Sequence, residues 1–271
     1  RTILESTRAE APAAAVGLLG ILPRPPPLHP DLVRLTTLGS IDLEGAPGAN
    51  QLLAQPKLLT LFAYLVFARR GKYQRRDRLA GLFWGDQPEE RARASLRTAL
   101  STLRAALGDD VVLRRGDADV GLDISRLHCD AFEFEAAIAR DELALALELY
   151  RGPFFDGLFP DSAGLQHWLD ELREGYRAAA ADAAWTLAAR YESDRADLTS
   201  AARWARRAAK LAGADERRVR RVMQLLVRAG DAAGAIAIYN DFARFLKSEL
   251  ELEPSPETQE LAQGIRQRTG S

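Results

Sequence analysis

The stretch Glu89–Leu107, EERARASLRTALSTLRAAL, sets leucines at 96, 100, 103 and 107. That spacing lines up one apolar stripe on a helix, the pattern of a face buried against a core. Turned away from the stripe are Arg91, Ala94, Thr98, Ser101, Thr102 and Ala105, small or polar residues that let a helix approach a groove closely. Arg93, Arg97 and Arg104 run along one flank, where long cationic side chains can reach phosphates or base edges. Leucine beneath and Arg, Ser and Thr above is ambiguous alone, so the neighbouring patterns decide.

Upstream, Leu32–Leu43 alternates roughly, is rich in β-branched residues and contains a Gly-Ser break, which predicts short strands. Leu58, Leu61, Phe62, Leu65 and Val66 predict a first helix ending near Arg69-Arg70-Gly71, with cations in the last turn and glycine beyond. Lys72–Gln74 reads as an extended link and Arg76–Phe83 as a second helix. Trp84-Gly85-Asp86-Gln87-Pro88 breaks the chain, and Pro88 is well placed to open the third helix. Val111–Leu122 has two short apolar runs around an Arg-Arg-Gly-Asp turn, which predicts a β-hairpin. Strands, three helices and a hairpin in this order resemble the OmpR/PhoB-type winged helix, whose third helix enters the major groove.

Charge sharpens that reading. From Arg69 to Arg115 there are twelve Lys/Arg and six Asp/Glu, a local balance of +6 in a chain whose formal net charge is −1. A charge run is usually a solvated face. Here the cations fall on both the third helix and the hairpin, which favours double-stranded DNA as the partner.

The second half adds further motifs. Leu143–Gly157 reads as a helix ending in a Gly-Pro turn, followed by Trp168 to Arg173. Helical patterns recur at Ala201–Leu211, Glu216–Gly230 and Ala232–Ser248, the last pair joined by a Gly-Asp turn with the small-residue and aromatic spacing of tetratricopeptide repeats. Leu225, Leu226, Ile236, Tyr239 and Phe242 are the expected core of that pair. Tyr150-Arg151-Gly152-Pro153 with Trp168 and Arg173 resembles the bacterial transcriptional activator domain. So does the run from Glu216 through Gly230, Ala235, Tyr239 and Leu246 to Glu253-Pro254-Ser255-Pro256-Glu257-Thr258. A winged helix followed by that domain resembles the SARP-type regulators, the antibiotic regulatory proteins of the AfsR/DnrI/EmbR group, from about Val33 to the C-terminus.

The resemblance implies a mainly α protein: an N-terminal winged helix-turn-helix at 32–126, then an all-α, tetratricopeptide-like helical domain at 127–271. It implies a sequence-specific regulator, an activator that binds repeated half-sites, self-associates on DNA and contacts RNA polymerase. Arg97, Thr98, Ser101 and Arg104 would read or anchor at the major groove, Arg91 and Arg93 would hold phosphates, and Arg114 and Arg115 would carry the wing to the neighbouring minor groove or backbone. The family's third helix commonly reads L-R-x-x-V-S-R-L-R-R-x-L, whereas Thr102 and Ala105 stand here where Arg is common. Residues 32–126 are expected to fold alone. The alternative is a helical-repeat interaction scaffold whose winged helix does not bind DNA.

Composition bounds the rest. A length of 271 residues leaves room for two domains. A single cysteine, Cys129, excludes an intrachain disulfide and suits the reducing cytoplasm. No apolar run approaches the ~18 residues of a membrane helix. Residues 1–31, with apolar Ala11–Leu22 and Pro-rich Pro23–Pro30, read as a mobile tail or linker, and a start at Arg1 rather than Met leaves open that the chain is a fragment.

Enzymatic readings fare poorly. No G-x-x-x-x-G-K-[ST] loop occurs, so no nucleotide cofactor is expected. His128-Cys129-Asp130 are adjacent, which lacks the spacing for zinc, and read as a domain junction. His29 and His167 show no partner for base catalysis, and Asp170, Glu171 and Glu174 read as a solvated helix face. Trp168, Trp185 and Trp204 read as helix-packing core rather than a ligand groove.

Overall fold

The computed structural model describes residues 32–193, 197–211 and 215–269. The tail read at 1–31, with His29, lies outside the described residues. Two compact units are present, one joining 32–140 to 148–176 and the other joining 141–147 to the residues from 177 onward.

In the first unit, strand β1 (Val33–Thr36) buries Val33 and Leu35 and exposes Arg34, the two-residue alternation of a half-buried strand. Strand β2 (Asp42–Glu44) pairs antiparallel to it, with Leu35 opposite Leu43. Helix α1 (Ala49–Leu53) was not legible in the apolar pattern, because only Leu52 of it is buried. Helix α2 (Pro56–Phe67) begins with proline at its first position and is buried from Leu58 to Phe67. Next come β3 (Gln74–Arg75), α3 (Arg76–Trp84), α4 (Glu89–Leu107), β4 (Val112–Arg115) and β5 (Asp119–Leu122). The hairpin β4–β5 receives β3 on its other side, giving a sheet of order β3-β5-β4.

The expected division at 126/127 does not coincide with the division between units. A 3₁₀ turn at Ile124–Arg126 leads to β6 (Leu127–Cys129), which runs parallel to β1 and completes a sheet of order β2-β1-β6. His128-Cys129-Asp130 is therefore the end of a strand and the start of helix α5 (Asp130–Ala139), not a junction. The Asp130 carboxylate accepts from Thr37 N at 2.8 Å, Thr37 Oγ1 at 2.7 Å and Leu38 N at 3.0 Å.

The chain returns to the same place once more after helix α6 (Leu143–Leu149). Gly39 N donates to Pro153 O at 3.0 Å, and Phe155 N to Thr37 O at 2.8 Å. Gly39 has φ +102°, and a Cβ there would lie 2.7 Å from Gly152 N, so both backbones need glycine to meet. Residues 32–126 are thus a sheet lacking a strand, which removes the reason to expect that fragment to fold alone.

The core of this unit is aromatic. Phe67 meets Phe132, Phe154 and Phe155 with ring centroids 5.2, 4.8 and 5.9 Å away. Helix α7 (Ala163–Ser193) contributes Trp168, edge-on to Tyr64 at 5.0 Å, and Tyr176, stacked on Phe154 at 4.8 Å. Arg173 donates to the carbonyls of Phe154 at 3.0 Å, Phe155 at 2.8 Å and Leu158 at 2.7 Å, which explains why it accompanies the Gly152-Pro153 turn. Glu135 is buried on α5, where its carboxylate accepts from the Arg70 guanidinium and the Tyr176 hydroxyl. Burial pushes that carboxyl above the usual carboxylate range, and Arg70 and Tyr176 draw it back only in part.

In the second unit, the later part of α7 is followed by α8 (Leu198–Leu211), α9 (Glu216–Arg228), α10 (Ala232–Glu249) and α11 (Pro256–Thr269). Asp197, Asp215 and Asp231 each accept from a backbone N–H three residues on, at 3.0, 3.0 and 2.7 Å, capping α8, α9 and α10. Val219, Val222, Leu225 and Leu226 of α9 face Ala201, Ala205, Ala235 and Phe242 in one core, with Ile236 and Tyr239 packed at its edge. Glu216 accepts from Ser255 N at 2.6 Å and Arg220 donates to Thr258 Oγ1 at 3.0 Å, which ties the Ser255-Pro256-Glu257-Thr258 motif to the start of α9. Trp185 and Trp204 sit partly buried against this core while Trp168 belongs to the first unit. No helix among the described residues is long and apolar enough to cross a membrane.

Candidate nucleic-acid interface

Helices α3 and α4 pack against each other, and β4 follows α4 after a turn at Gly108. The leucine stripe of α4 is buried as its spacing requires, with Leu96, Leu100, Leu103 and Leu107 all within 4% of full burial. On the far side Arg91, Ala94, Arg97, Thr98, Ser101 and Ala105 are exposed. Arg91 and Arg97 carry no ion pair among the described residues. Thr98 Oγ1 donates to Ala94 O at 3.2 Å and Thr102 Oγ1 to Thr98 O at 3.1 Å, so both hydroxyl protons are used within the helix while the oxygens can still accept.

The remaining sequence-derived residues separate into three situations. Arg93 is shared between Asp77 at 3.1 Å and Glu89 at 2.6 Å, an exposed arrangement that is cheap to break. Arg114 and Arg115 are adjacent on the wing strand β4, and neighbouring strand residues point to opposite faces. Arg115 lies against Tyr73 at 4.7 Å and donates to Asp119 Oδ2 at 2.8 and 3.1 Å, whereas Arg114 is exposed with no ion pair among the described residues. Arg104 is half-buried, because a residue four places after the buried Leu100 lies only a small rotation round the helix from it. Its guanidinium is held below its ordinary pKa by burial first, then by Arg114 and Arg76, while Asp109 acts weakly the other way. That placement turns Arg104 towards the wing rather than onto the exposed face with Arg97.

Arg76 is a member of this region that helix periodicity did not single out. It opens α3, its backbone N–H donates to Ala118 O at 2.8 Å in the hairpin turn, and its charge reaches Arg104. The signal available was its place in the basic run from Arg69 to Arg78. The two described histidines have local partners: His128 Nε2 meets Glu133 Oε1 at 3.3 Å, and the exposed His167 meets Glu171 Oε1 at 3.3 Å one turn on.

Residues 129–266 match the family described as bacterial transcriptional activator domain. The chain belongs to that family. The match begins at Cys129, so the first residues of the activator domain are built into the sheet that carries β1. The chain is also similar to the regulatory protein AfsR of Streptomyces coelicolor, 30% identical over 239 residues that cover 81% of this chain and 23% of that protein. Against AfsR of Streptomyces griseus it is 28% identical over 262 residues, covering 88% and 25%. It therefore spans about a quarter of the length of the curated relatives it matches. In fold it is similar to Mycobacterium tuberculosis EmbR, solved in complex with a low affinity phosphopeptide, with a TM-score of 0.56 and 22% identity over 87% of this chain and 65% of that one. The activator-domain match and the likeness to AfsR bear out the SARP-type relationship, and the likeness in fold to EmbR bears out the mainly helical fold read from the motifs.

Proposed function

We propose that this chain is a sequence-specific, double-stranded-DNA-binding transcriptional regulator of the cytoplasm, an activator with no enzymatic activity or cofactor of its own. The observation that carries the reading is the outer face of α4, where Arg91, Arg97, Thr98 and Ser101 stand exposed over a buried leucine stripe. Arg97, Thr98 and Ser101 meet base edges in the major groove, and Arg91 takes a phosphate at the helix start. Activation follows from binding repeated half-sites, where modest self-association turns the second binding event into a tethered one, and from contact with RNA polymerase.

Titrating genomic promoter fragments at rising salt tests the reading. Affinity falls steeply as counterions are no longer released to advantage. Arg97→Ala weakens binding by ~1–3 kcal/mol at its preferred site and relaxes base preference there. Salt-independent binding, or none to any fragment, overturns the assignment.

A further inference from the structure

Four buried side-chain nitrogens find no acceptor among the described residues, and three of them belong to Gln74, Arg76 and Arg104. These residues sit where β3, the start of α3 and the end of α4 surround the hairpin. The strand register places Gln74 opposite Val120 and Val120 opposite Arg114, so the three side chains share one face of the sheet. Gln74 is only 4% exposed, which makes its unmatched amide costly to keep. Arg76 begins α3, where Ala118 O takes its backbone N–H and Arg75 before it provides no side-chain cap, so its guanidinium stands at the positive end of the helix. Arg104 lies within electrostatic reach of both Arg76 and Arg114, with Asp109 as the one opposing carboxylate. Two half-buried guanidiniums, Arg76 and Arg104, each keep a buried nitrogen without an acceptor among the described residues, and the exposed Arg114 adds a third positive charge beside them. A group with several acceptor oxygens and negative charge resolves both at once.

We propose that Arg76, Arg104 and Arg114 form a phosphate-binding cleft between the wing and α4, filled by a backbone phosphodiester of bound DNA. The proposal rests on the DNA-binding reading and gives Arg104 an anchoring role in place of base reading. It differs from the exposed face of α4 in one testable respect: anchoring is blind to sequence, whereas reading is not.

The experiment follows the arginine side-chain Nε–Hε resonances of the full chain while inorganic phosphate is added at constant ionic strength, and then a short duplex of random sequence. The Arg76 and Arg104 signals shift with either addition. Arg76→Gln and Arg114→Gln each abolish the phosphate response of Arg104 and weaken duplex binding equally across sequences. The slope of log affinity against log salt becomes shallower by about 0.9, the loss of one phosphate contact. Arg114 is exposed, so its variant separates loss of the cleft from loss of the fold. If the duplex binds and moves Arg97 while phosphate and duplex both leave Arg76 and Arg104 unmoved, the cleft is refuted and the DNA reading stands. If phosphate moves them and no duplex binds, the cleft stands with a free phosphoanion as its ligand, and the DNA source is refuted. Silence to both refutes both.

Discussion

Each of the two units has its own kind of internal contact. In the first, rings from well-separated segments converge on Phe67: Phe132 on α5, then Phe154 and Phe155 in the turn after α6. A buried carboxylate, Glu135, joins Arg70, 65 positions earlier, to Tyr176, 41 positions later. In the second, alanines and aliphatics of successive helices fill the core, and each of α8, α9 and α10 opens with its own aspartate cap. One unit depends on what the chain brings back from afar, the other on what each helix finds in its neighbour. Local cohesion of the second sort gains little from ends meeting, whereas the first sort must offset the entropy of closing long loops.

The sharpest way to break this contrast is to cut the first unit where the wing ends. Residues 32–126 lack β6, the Asp130 carboxylate and three of the rings around Phe67, so the fragment is expected to lose dispersed amide resonances and near-ultraviolet circular dichroism. A cooperative unfolding transition of that fragment would show that the returning segments are dispensable. Next in size is truncation of one large side chain in each core. Phe154→Ala is expected to cost ~3–5 kcal/mol and Leu226→Ala ~2–5 kcal/mol by denaturant titration, both sites being fully buried. A smaller loss at Phe154 than at Leu226 reverses the contrast. Asp130→Ala strips the acceptor from Thr37 N, Thr37 Oγ1 and Leu38 N, at ~1–3 kcal/mol for buried donors left unmatched.

The smallest expected effect is a pH slope at Glu135. Its carboxyl titrates above the usual range when folded, so the folded state holds the proton more tightly than the unfolded one. Its stabilising contribution is full below the ordinary glutamate pKa and is lost as pH rises through the raised folded value. Glu135→Gln cannot lose a proton, so stability of the original protein relative to this variant is expected to fall with rising pH across that window. An unchanged difference from acid to neutral pH would mean that the Arg70 pairing cancels the cost of burial.

The same contrast explains what could be read from the chain. The stripe at Leu96, Leu100, Leu103 and Leu107, the hairpin at Val112–Leu122 and the helices closed by Gly230 all announce themselves within a few residues, because helix and strand periods are local. Strand β6 does not: three residues, one of them His128, carry no period of their own, and only pairing with β1 makes them a strand. Helix α1 hides for a like reason, with Leu52 as its one buried side chain. At the candidate interface the exposed face of α4 was legible, since it is what the leucine stripe leaves over. The separation of Arg114 from Arg115 was available in the two-residue strand repeat. The approach of Arg76 to Arg104 depends on how a hairpin folds beside two helices, which no single period encodes.

The return of β6 to β1 also orders events in time. Protein synthesis proceeds from the N-terminus at roughly 5–20 residues per second, so on the order of ten seconds separates the emergence of β1 from that of Tyr176. During that interval β1 presents an unpaired edge, and Phe67 lacks the rings that later cover it. A nascent chain halted between the wing and α5 therefore exposes a sheet edge beside an apolar surface, a form that chaperones bind and that aggregates when they are scarce.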